Sequence, residues 1–334
     1  MSPTQKAGQL VMVALNSSDP INAADSLIVD GRAGGVLLLG NGWHSAEQVR
    51  AVAEHIESLI APGDAKPYLA ADQEGGQVQR LAGPGFSAIP SALAQGAWPA
   101  DTLTQQAATW GAELKAAGVG LNLAPVADTV PPGFAASNAP IGQLGREFGA
   151  SPEAAGAGAA AFIAGMNQAG EQTAVKHFPG LGRITGNTDT TASGIADATT
   201  TPTDPYLDAY RAAIAAGPAM VMISLATYTQ IDPSGPAAFS RAIVTDLLRD
   251  QLGWGGVVIS DSMGAAAVRS IPASARAVRF VEAGGDMVIM TTAADTQEAI
   301  AGLVDQMDQS AQFAAMVDAA VLRVLQAKQA AGLL

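Results

Sequence analysis

Short apolar segments alternate with helical patterns along the whole chain, and this alternation limits the possible folds more than any other feature. Continuous apolar strands separated by helices are typical of an α/β protein whose parallel sheet is covered by helices. Eight such strands predict a (β/α)8 barrel of the TIM type, and a doubly wound sheet with a small second domain is the alternative. The predicted strands are residues 11–15, 35–39, 68–71, 121–124, 173–176, 219–224, 256–260 and 287–291.

The segments between and after these strands have the 3.6-residue periodicity of helices. No proline- or serine-rich linker and no change in composition divides the chain, so we expect a single barrel domain over residues 1–334. A length of 334 residues would also suit two domains. The predicted helices are residues 46–61, 104–117, 152–169, 205–216, 241–252, 273–283, 296–307 and 310–331.

Composition excludes several classes of protein. The chain is 49% hydrophobic and only 14% charged, which excludes a disordered protein. Its 17 basic and 30 acidic side chains give a net charge of −13, which argues against nucleic acid or an anionic membrane as a partner. There are no cysteines, so disulfides, thiolate metal sites and thiol nucleophiles are excluded. The three histidines are scattered, and no metal or organic cofactor is predicted.

The sequence contains no targeting or membrane signal that we can identify. The longest apolar stretch, residues 154–166, is shorter than the roughly 20 residues that cross a bilayer. No charged segment followed by an apolar run opens the chain, so no signal peptide is expected. A cytoplasmic location is favoured on this basis, and an exported form whose signal has been removed is the alternative.

Polar clusters follow four of the predicted strands. Asp72 follows the third strand, Asp128 the fourth and Asp261 the seventh, while Lys176 and His177 end the fifth. In a barrel of this type the catalytic residues lie at the carboxyl ends of the strands. The sequence therefore predicts an active site at this end of the barrel.

Each candidate also has an ordinary structural interpretation. Asp261 is either a nucleophile or charge stabiliser, or a cap for the next helix. Asp72 and Arg80 flank two glycines and either bind sugar hydroxyls or form a salt bridge within their loop. Arg146, in a long proline-containing loop, either binds a ligand or pairs with Glu147 or another neighbour.

The adjacent pair Lys176 and His177 raises a geometric question. Side chains alternate along a strand, so only one of the two should enter the barrel unless the strand ends there. A single histidine is usually structural. The Phe178–Pro179 bond is a candidate for the cis form, which sequence cannot show.

Taken together, the motifs resemble glycoside hydrolase family 3, in its single-domain β-N-acetylglucosaminidase (NagZ-like) branch. They occur in the order of that family and span nearly the whole chain. The motifs are Ala71-Asp-Gln-Glu-Gly-Gly-Gln-Val-Gln-Arg-Leu81, Asn122-Leu-Ala-Pro-Val-Ala-Asp128, Gly145-Arg-Glu-Phe-Gly149, Lys176-His-Phe-Pro-Gly180, Leu247-Leu-Arg-Asp-Gln-Leu-Gly253, Val257-Val-Ile-Ser-Asp261 and Ala283-Gly-Gly-Asp-Met287.

The resemblance implies a reaction and a role for each site residue. The reaction is removal of a terminal β-linked N-acetylglucosamine, often from muropeptides or other cell-wall fragments, with retention of configuration. Asp261 corresponds to the nucleophile that forms a covalent glycosyl-enzyme. The residues that correspond to those holding the terminal sugar are Asp72, Arg146, Lys176 and His177, with Arg80 close by. Larger family members add an α/β sandwich domain after the barrel, which is not expected here.

The departures from the family pattern concern the acid/base. The branch usually has an Asp–His pair on a mobile loop; here Asp189 remains, but Thr191 stands at the histidine position. Leu181 and Leu225 occupy two further positions where histidine is customary. A hydroxyl cannot replace imidazole as an acid near neutral pH.

Three interpretations follow. Asp189 itself acts as the acid/base, with a raised pKa, which is the one we favour. Alternatively Glu74 or Glu147 takes the role, or the protein has become a sugar-binding barrel with weakened catalysis. A β-glucosidase or a glycosyl phosphorylase is a further alternative. The threonine-rich residues 184–203 are expected to form a flexible lid or a plain surface loop.

Overall fold

The computed structural model describes residues 1–334 and contains a closed barrel of eight parallel strands. Every strand pairs with the next one in the chain, and the last pairs with the first. The predicted (β/α)8 barrel is therefore confirmed. The strands are β1 (Val11–Asn16), β2 (Gly35–Leu39), β3 (Tyr68–Ala71), β4 (Leu121–Asn122), β5 (Gln172–Phe178), β6 (Met220–Ile223), β7 (Val257–Ser262) and β8 (Met287–Met290).

All eight predicted helices are present around this barrel. Ser45, Ser151, Thr292 and Ser310 begin four of them, and each side chain accepts a hydrogen bond from the first-turn backbone. The helices correspond to Ala46–Ser58, Ala100–Ala116, Pro152–Gln168, Leu207–Ala215, Ala242–Gln251, Ala273–Glu282, Ala293–Gln309 and Ala311–Ala330. Ala242–Gln251 is a π-helix, and no helix is long and apolar enough to cross a bilayer.

Three short helices and several turns were not predicted. Pro3–Gln9, Asp25–Val29 and Ala92–Gln95 are only four to seven residues long, too short for an apolar periodicity to show. Short 3₁₀ turns lie at Ala135–Ser137, Gly142–Leu144 and Ala237–Phe239. Two small two-stranded sheets pair Gln73–Gly75 with Val78–Gln79 and Ala196–Asp197 with Thr227–Tyr228.

The last helix carries a lysine that is completely buried. The Nζ atom of Lys328 donates to Gln9 Oε1 at 2.7 Å and lies 5.7 Å from the centre of the Tyr68 ring. No carboxylate forms a salt bridge with it. Burial lowers the pKa of Lys328 to about 7. Holding this amine therefore costs free energy wherever the unfolded chain would keep it protonated.

We expect Lys328→Met to stabilise the protein at pH 7 by about 1–3 kcal/mol, because it removes a poorly compensated buried amine. Between pH 7 and the ordinary lysine pKa, the unfolded chain binds more protons than the folded chain. Lys328 therefore makes the free energy of unfolding rise with pH across that window, and the variant should lose this rise. Urea unfolding at pH 7 and pH 9 measures both effects. Lys6→Met, on a half-buried surface lysine, is the control, and a less stable Lys328→Met at both pH values contradicts the argument.

Candidate active site

A cleft of about 460 Å³ opens at the carboxyl ends of the barrel strands, a size suited to a small ligand. Its walls come from the ends of β3, β5 and β7, from the loop after β4 and from the segment after β5. All seven residues proposed from the sequence line it: Asp72, Arg80, Arg146, Lys176, His177, Asp189 and Asp261. The fold thus brings together side chains that are up to 189 positions apart (261 − 72).

A buried ion cluster forms one wall of the cleft. Lys176 Nζ binds Asp72 Oδ1 at 2.5 Å and Glu74 Oε1 at 2.6 Å. Arg146 donates to both oxygens of Glu74, at 2.7 and 2.8 Å, and to Pro140 O at 2.8 Å. Such paired, charge-assisted bonds fix the Arg146 and Lys176 side chains in place. Arg146 therefore pairs with Glu74 rather than with Glu147.

Neither glutamate considered as an alternative acid fits that role. Burial alone would raise the pKa of Glu74, but Arg146 and Lys176 hold it well below its usual range, so Glu74 stays ionised. Glu147 is buried, with a pKa raised by burial, and it does not line the cleft. In the arrangement that the structure shows, neither glutamate lies where it can donate a proton to a substrate in the cleft.

Arg80 lies at the cleft without an acidic partner. It donates through Nη1 to Asn41 Oδ1 at 2.8 Å, and its buried Nε has no hydrogen-bond partner. The loop salt bridge with Asp72 considered above is not formed, since Arg80 meets Asp72 only through backbone atoms. The intervening Gly75 has φ +109°, and a Cβ there would lie 2.2 Å from Pro90 O, so only glycine suits this turn.

His177 is oriented by a buried aspartate. Its Nδ1 lies 2.7 Å from Asp128 Oδ2 and donates a hydrogen bond to that carboxylate, and its Nε2 lies 3.5 Å from Arg146 Nη2. Asp128 Oδ1 accepts from Tyr210 OH at 2.6 Å and from Leu181 N at 3.0 Å. Burial raises the pKa of Asp128, but His177 and these donors outweigh it and keep the carboxyl ionised. Its position after β4 was noted in the sequence, but its role was not.

Both Lys176 and His177 line the cleft, although strand alternation allowed only one of them. The pairing of β5 with β6 shifts register between Val175 and Phe178, so the alternation does not hold there. The Lys176–His177 peptide bond is cis, and the Phe178–Pro179 bond is cis as well.

Asp261 is a carboxylate of the cleft that no cation neutralises. It lies near the end of β7, is half-buried, and accepts a hydrogen bond from Ser262 N at 2.7 Å. No cation forms a salt bridge with it. The next helix begins at Ala273 after Pro272, so the helix-cap interpretation of Asp261 is wrong.

Asp189 lies at the cleft on residues 184–203, the segment proposed above as a lid and called the lid below. The lid rests on the segment after β7, where Ala266 N donates to Asp189 O and Ala267 N donates to Thr188 O, both at 3.1 Å. Asp189 remains accessible to solvent at the rim. The protein around its carboxyl group and then the charge of Asp261 raise the pKa of Asp189 to about 6.

The positions where the family carries histidine do not supply an acid. Thr191 does not line the cleft, and its hydroxyl accepts from Ser193 N at 2.9 Å. Leu181 is a buried apolar part of the cleft wall, and Leu225 is fully buried away from it. No group of three or more His, Asp or Glu side chains is arranged to hold a metal ion.

Carboxylates and cations grouped in a cleft at the carboxyl ends of the barrel strands are the kind of site that glycoside hydrolases use. The family model described as "Glycosyl hydrolase family 3 N terminal domain" matches residues 4–327. The chain therefore belongs to glycoside hydrolase family 3, as its motifs predicted, and is an enzyme of that family.

Relatives of known name support this assignment. A β-hexosaminidase of Xylella fastidiosa (strain M23) is 32% identical over 304 residues, which cover 88% of this chain and 86% of that protein. The crystal structure of a β-N-acetylhexosaminidase from Beutenbergia cavernae DSM 12333 superposes with a TM-score of 0.93 at 46% identity, over 98% of this chain and 99% of that chain. A family 3 β-N-acetylglucosaminidase from Paenibacillus sp. str. FPU-7 gives a TM-score of 0.87 at 27% identity, over 100% of this chain and 63% of that chain.

Proposed function

We propose that this protein is a retaining, exo-acting β-N-acetylglucosaminidase, with Asp261 as nucleophile and Asp189 as acid/base. One observation carries the proposal. Two carboxyl groups line the same cleft, and the charge of Asp261 helps to raise the pKa of Asp189 to about 6. When their surroundings push the pKa values of two carboxyl groups apart, the group with the higher pKa can act as the acid and the ionised group as the nucleophile.

In the first step an Asp261 oxygen bonds to the anomeric carbon while the glycosidic C–O bond breaks. Asp189 gives its proton to the leaving oxygen. The resulting ester carries no charge at Asp261, so the pKa of Asp189 falls and its carboxylate becomes a base. In the second step Asp189 takes a proton from water, the water oxygen bonds to the anomeric carbon, and the Asp261 ester bond breaks. Two inversions give retention.

The ion cluster suits a polyhydroxylated ring. Asp72 can accept hydrogen bonds from sugar hydroxyls, and Lys176 and Arg146 can donate to sugar oxygens. Because these side chains are already held by one another and by Glu74, they need little ordering when the sugar binds. Arg80, whose Nε has no protein partner, and His177 complete the polar wall.

The sugar itself is proposed from the relatives. They are named β-hexosaminidase, β-N-acetylhexosaminidase and β-N-acetylglucosaminidase, which favours N-acetylglucosamine over glucose. A terminal, β-linked N-acetylglucosamine on a small carbohydrate is therefore the proposed substrate, with cell-wall fragments among the glycoconjugates to compare.

Turnover of an aryl β-N-acetylglucosaminide beside the aryl β-glucoside tests this proposal. We expect release from the N-acetyl substrate, with the β-anomer of the sugar formed first in an NMR time course. First formation of the α-anomer would overturn retention, and faster release from the glucoside would overturn the specificity. A glycosyl phosphate formed in phosphate buffer would indicate a phosphorylase. No turnover by a folded protein that still binds N-acetylglucosamine would leave a sugar-binding barrel.

A further inference from the structure

A single buried amide joins the two loops that complete the cleft. Asn138 is fully buried, and its Nδ2 donates to Leu181 O and to Ile184 O, both at 2.8 Å. Its Oδ1 accepts from Ile141 N at 3.1 Å and from Gly142 N at 2.7 Å. Two donors and two acceptor sites are the full capacity of an asparagine side chain, so nothing is left unpaired.

The four partners of Asn138 belong to two different functional segments. Ile141 and Gly142 lead into the turn before Arg146, whose backbone N–H donates to Ile141 O at 3.2 Å. Leu181 and Ile184 form the root of the lid, five residues before Asp189. Asn138 therefore connects the loop that carries a sugar-binding cation to the segment that carries the proposed acid.

The first part of the lid is consequently held at two places. At its root Leu181 is bound through its carbonyl by Asn138 and through its N–H by Asp128. A few residues further on, Thr188 and Asp189 accept hydrogen bonds from Ala267 and Ala266 after β7. Together these contacts limit where the Asp189 carboxyl group can lie.

We propose that Asn138 is a positioning residue that holds the lid root so that Asp189 reaches the glycosidic oxygen. This inference rests on the proposed function, since it assumes that Asp189 is the acid. Proton donation tolerates little displacement, because the acid must come within hydrogen-bond distance of the leaving oxygen.

We call the four hydrogen bonds of the Asn138 side chain the clamp; one half binds Ile141 N and Gly142 N, and the other binds Leu181 O and Ile184 O. Asn138→Asp separates these two halves. The variant keeps an oxygen for Ile141 N and Gly142 N but loses the two donations to the lid root. We expect kcat/KM for an unactivated substrate, such as a chitin disaccharide, to fall by on the order of 10²-fold. With the 2,4-dinitrophenyl glycoside, whose leaving group needs no proton, the fall should stay below about threefold. With the unactivated substrate, the decrease of kcat/KM above pH 6 should also begin at a different pH or become less steep.

Asn167→Asp is the control for the loss of two donations, because the exposed Asn167 also donates through Nδ2 to two backbone carbonyls, those of Ala216 and Gly217, outside the cleft. It should leave both substrates unaffected. If Asn138→Asp does not fold, Asn138→Ser, whose hydroxyl is too short to span the clamp, should still show the larger loss on the unactivated substrate. Equal losses on both substrates, or none, would overturn the positioning role.

Asp189→Asn, assayed in parallel, distinguishes the failure of this inference from the failure of the proposed function. If Asp189→Asn loses the unactivated substrate selectively and Asn138→Asp does not, only the clamp is wrong. If neither variant discriminates between the substrates, Asp189 is not the acid, and the positioning role falls with that assignment.

Discussion

We expect Asp261→Asn to lower kcat/KM for β-N-acetylglucosaminides by about 10⁴-fold or more, because the amide cannot form the glycosyl ester. The loss should be equally severe with a 2,4-dinitrophenyl leaving group, which needs no protonation but still needs a nucleophile. Initial rates on aryl and dinitrophenyl substrates, normalised to folded protein, measure it.

The substitution should leave the fold unchanged. Asp261 forms no salt bridge, and asparagine keeps the oxygen that accepts from Ser262 N. Thermal unfolding of the variant should therefore match that of the wild type. Asp308→Asn, on the exposed face of the Ala293–Gln309 helix, is the control for the chemical change. Residual activity above about 1% of wild type, with the aryl substrate and in freshly prepared protein, would contradict the nucleophile assignment.

The fold was predictable because the barrel repeats one simple rule. Most of the strands are buried on both faces and contain continuous apolar runs, as Val257–Ile259 and Met287–Met290 show. The same rule placed Asp72, Lys176 and Asp261, because a polar residue that ends or directly follows such an apolar run lies at the carboxyl end of the barrel. Local sequence patterns were therefore enough to predict both the barrel and the end of it at which these three side chains lie.

The hydrogen bonds and ion pairs that build the site could not be predicted, because they join distant parts of the chain. Glu74 binds Arg146 across 72 positions, Asp128 binds His177 across 49, and Asn138 binds Leu181 across 43. Nothing in a single sequence indicates that these particular side chains will meet. The helix Pro3–Gln9 is a different case, because Ser2 and Gln5 form a capping box that the sequence displays. It was missed because about two turns are too short for an apolar periodicity to show.

The role of Asp189 as acid/base is proposed from two sources, the resemblance to the family and the surroundings of its carboxyl group in the structure. Replacing it with asparagine should lower kcat/KM for an unactivated disaccharide by about 10²–10⁴-fold, the usual contribution of a general acid. With the dinitrophenyl glycoside the same parameter should stay within a few-fold of wild type. The kcat for that substrate should fall, because the second step lacks its base. Added azide should restore kcat, because azide attacks the glycosyl-enzyme without needing a base and gives the β-glycosyl azide.

The pH profile gives an independent test of the same residue. Asp189 must be protonated to act as an acid, and a pKa of about 6 keeps it so at lower pH. The wild-type kcat/KM for an unactivated substrate should therefore fall tenfold per pH unit above about pH 6. This decrease at alkaline pH should disappear in Asp189→Asn and be nearly absent with the dinitrophenyl substrate. In Asp261→Asn, where the neighbouring charge is gone, the pKa of Asp189 should fall toward the ordinary aspartate value.

Thr191→Ala is the control within the lid, since Thr191 does not line the cleft and stands where the family carries its histidine. It should change neither substrate by more than about threefold, because a residue that does not touch the substrate contributes no acid. Selective loss of the unactivated substrate in Thr191→Ala, with Asp189→Asn unaffected, would move the proton-donating role away from Asp189. Asp189→Asn alone should show a leaving-group-dependent loss, azide rescue and no decrease of kcat/KM at alkaline pH. That combination would mean that a lone carboxyl group, its pKa raised by burial and by the charge of the nucleophile, does the work of the Asp–His pair.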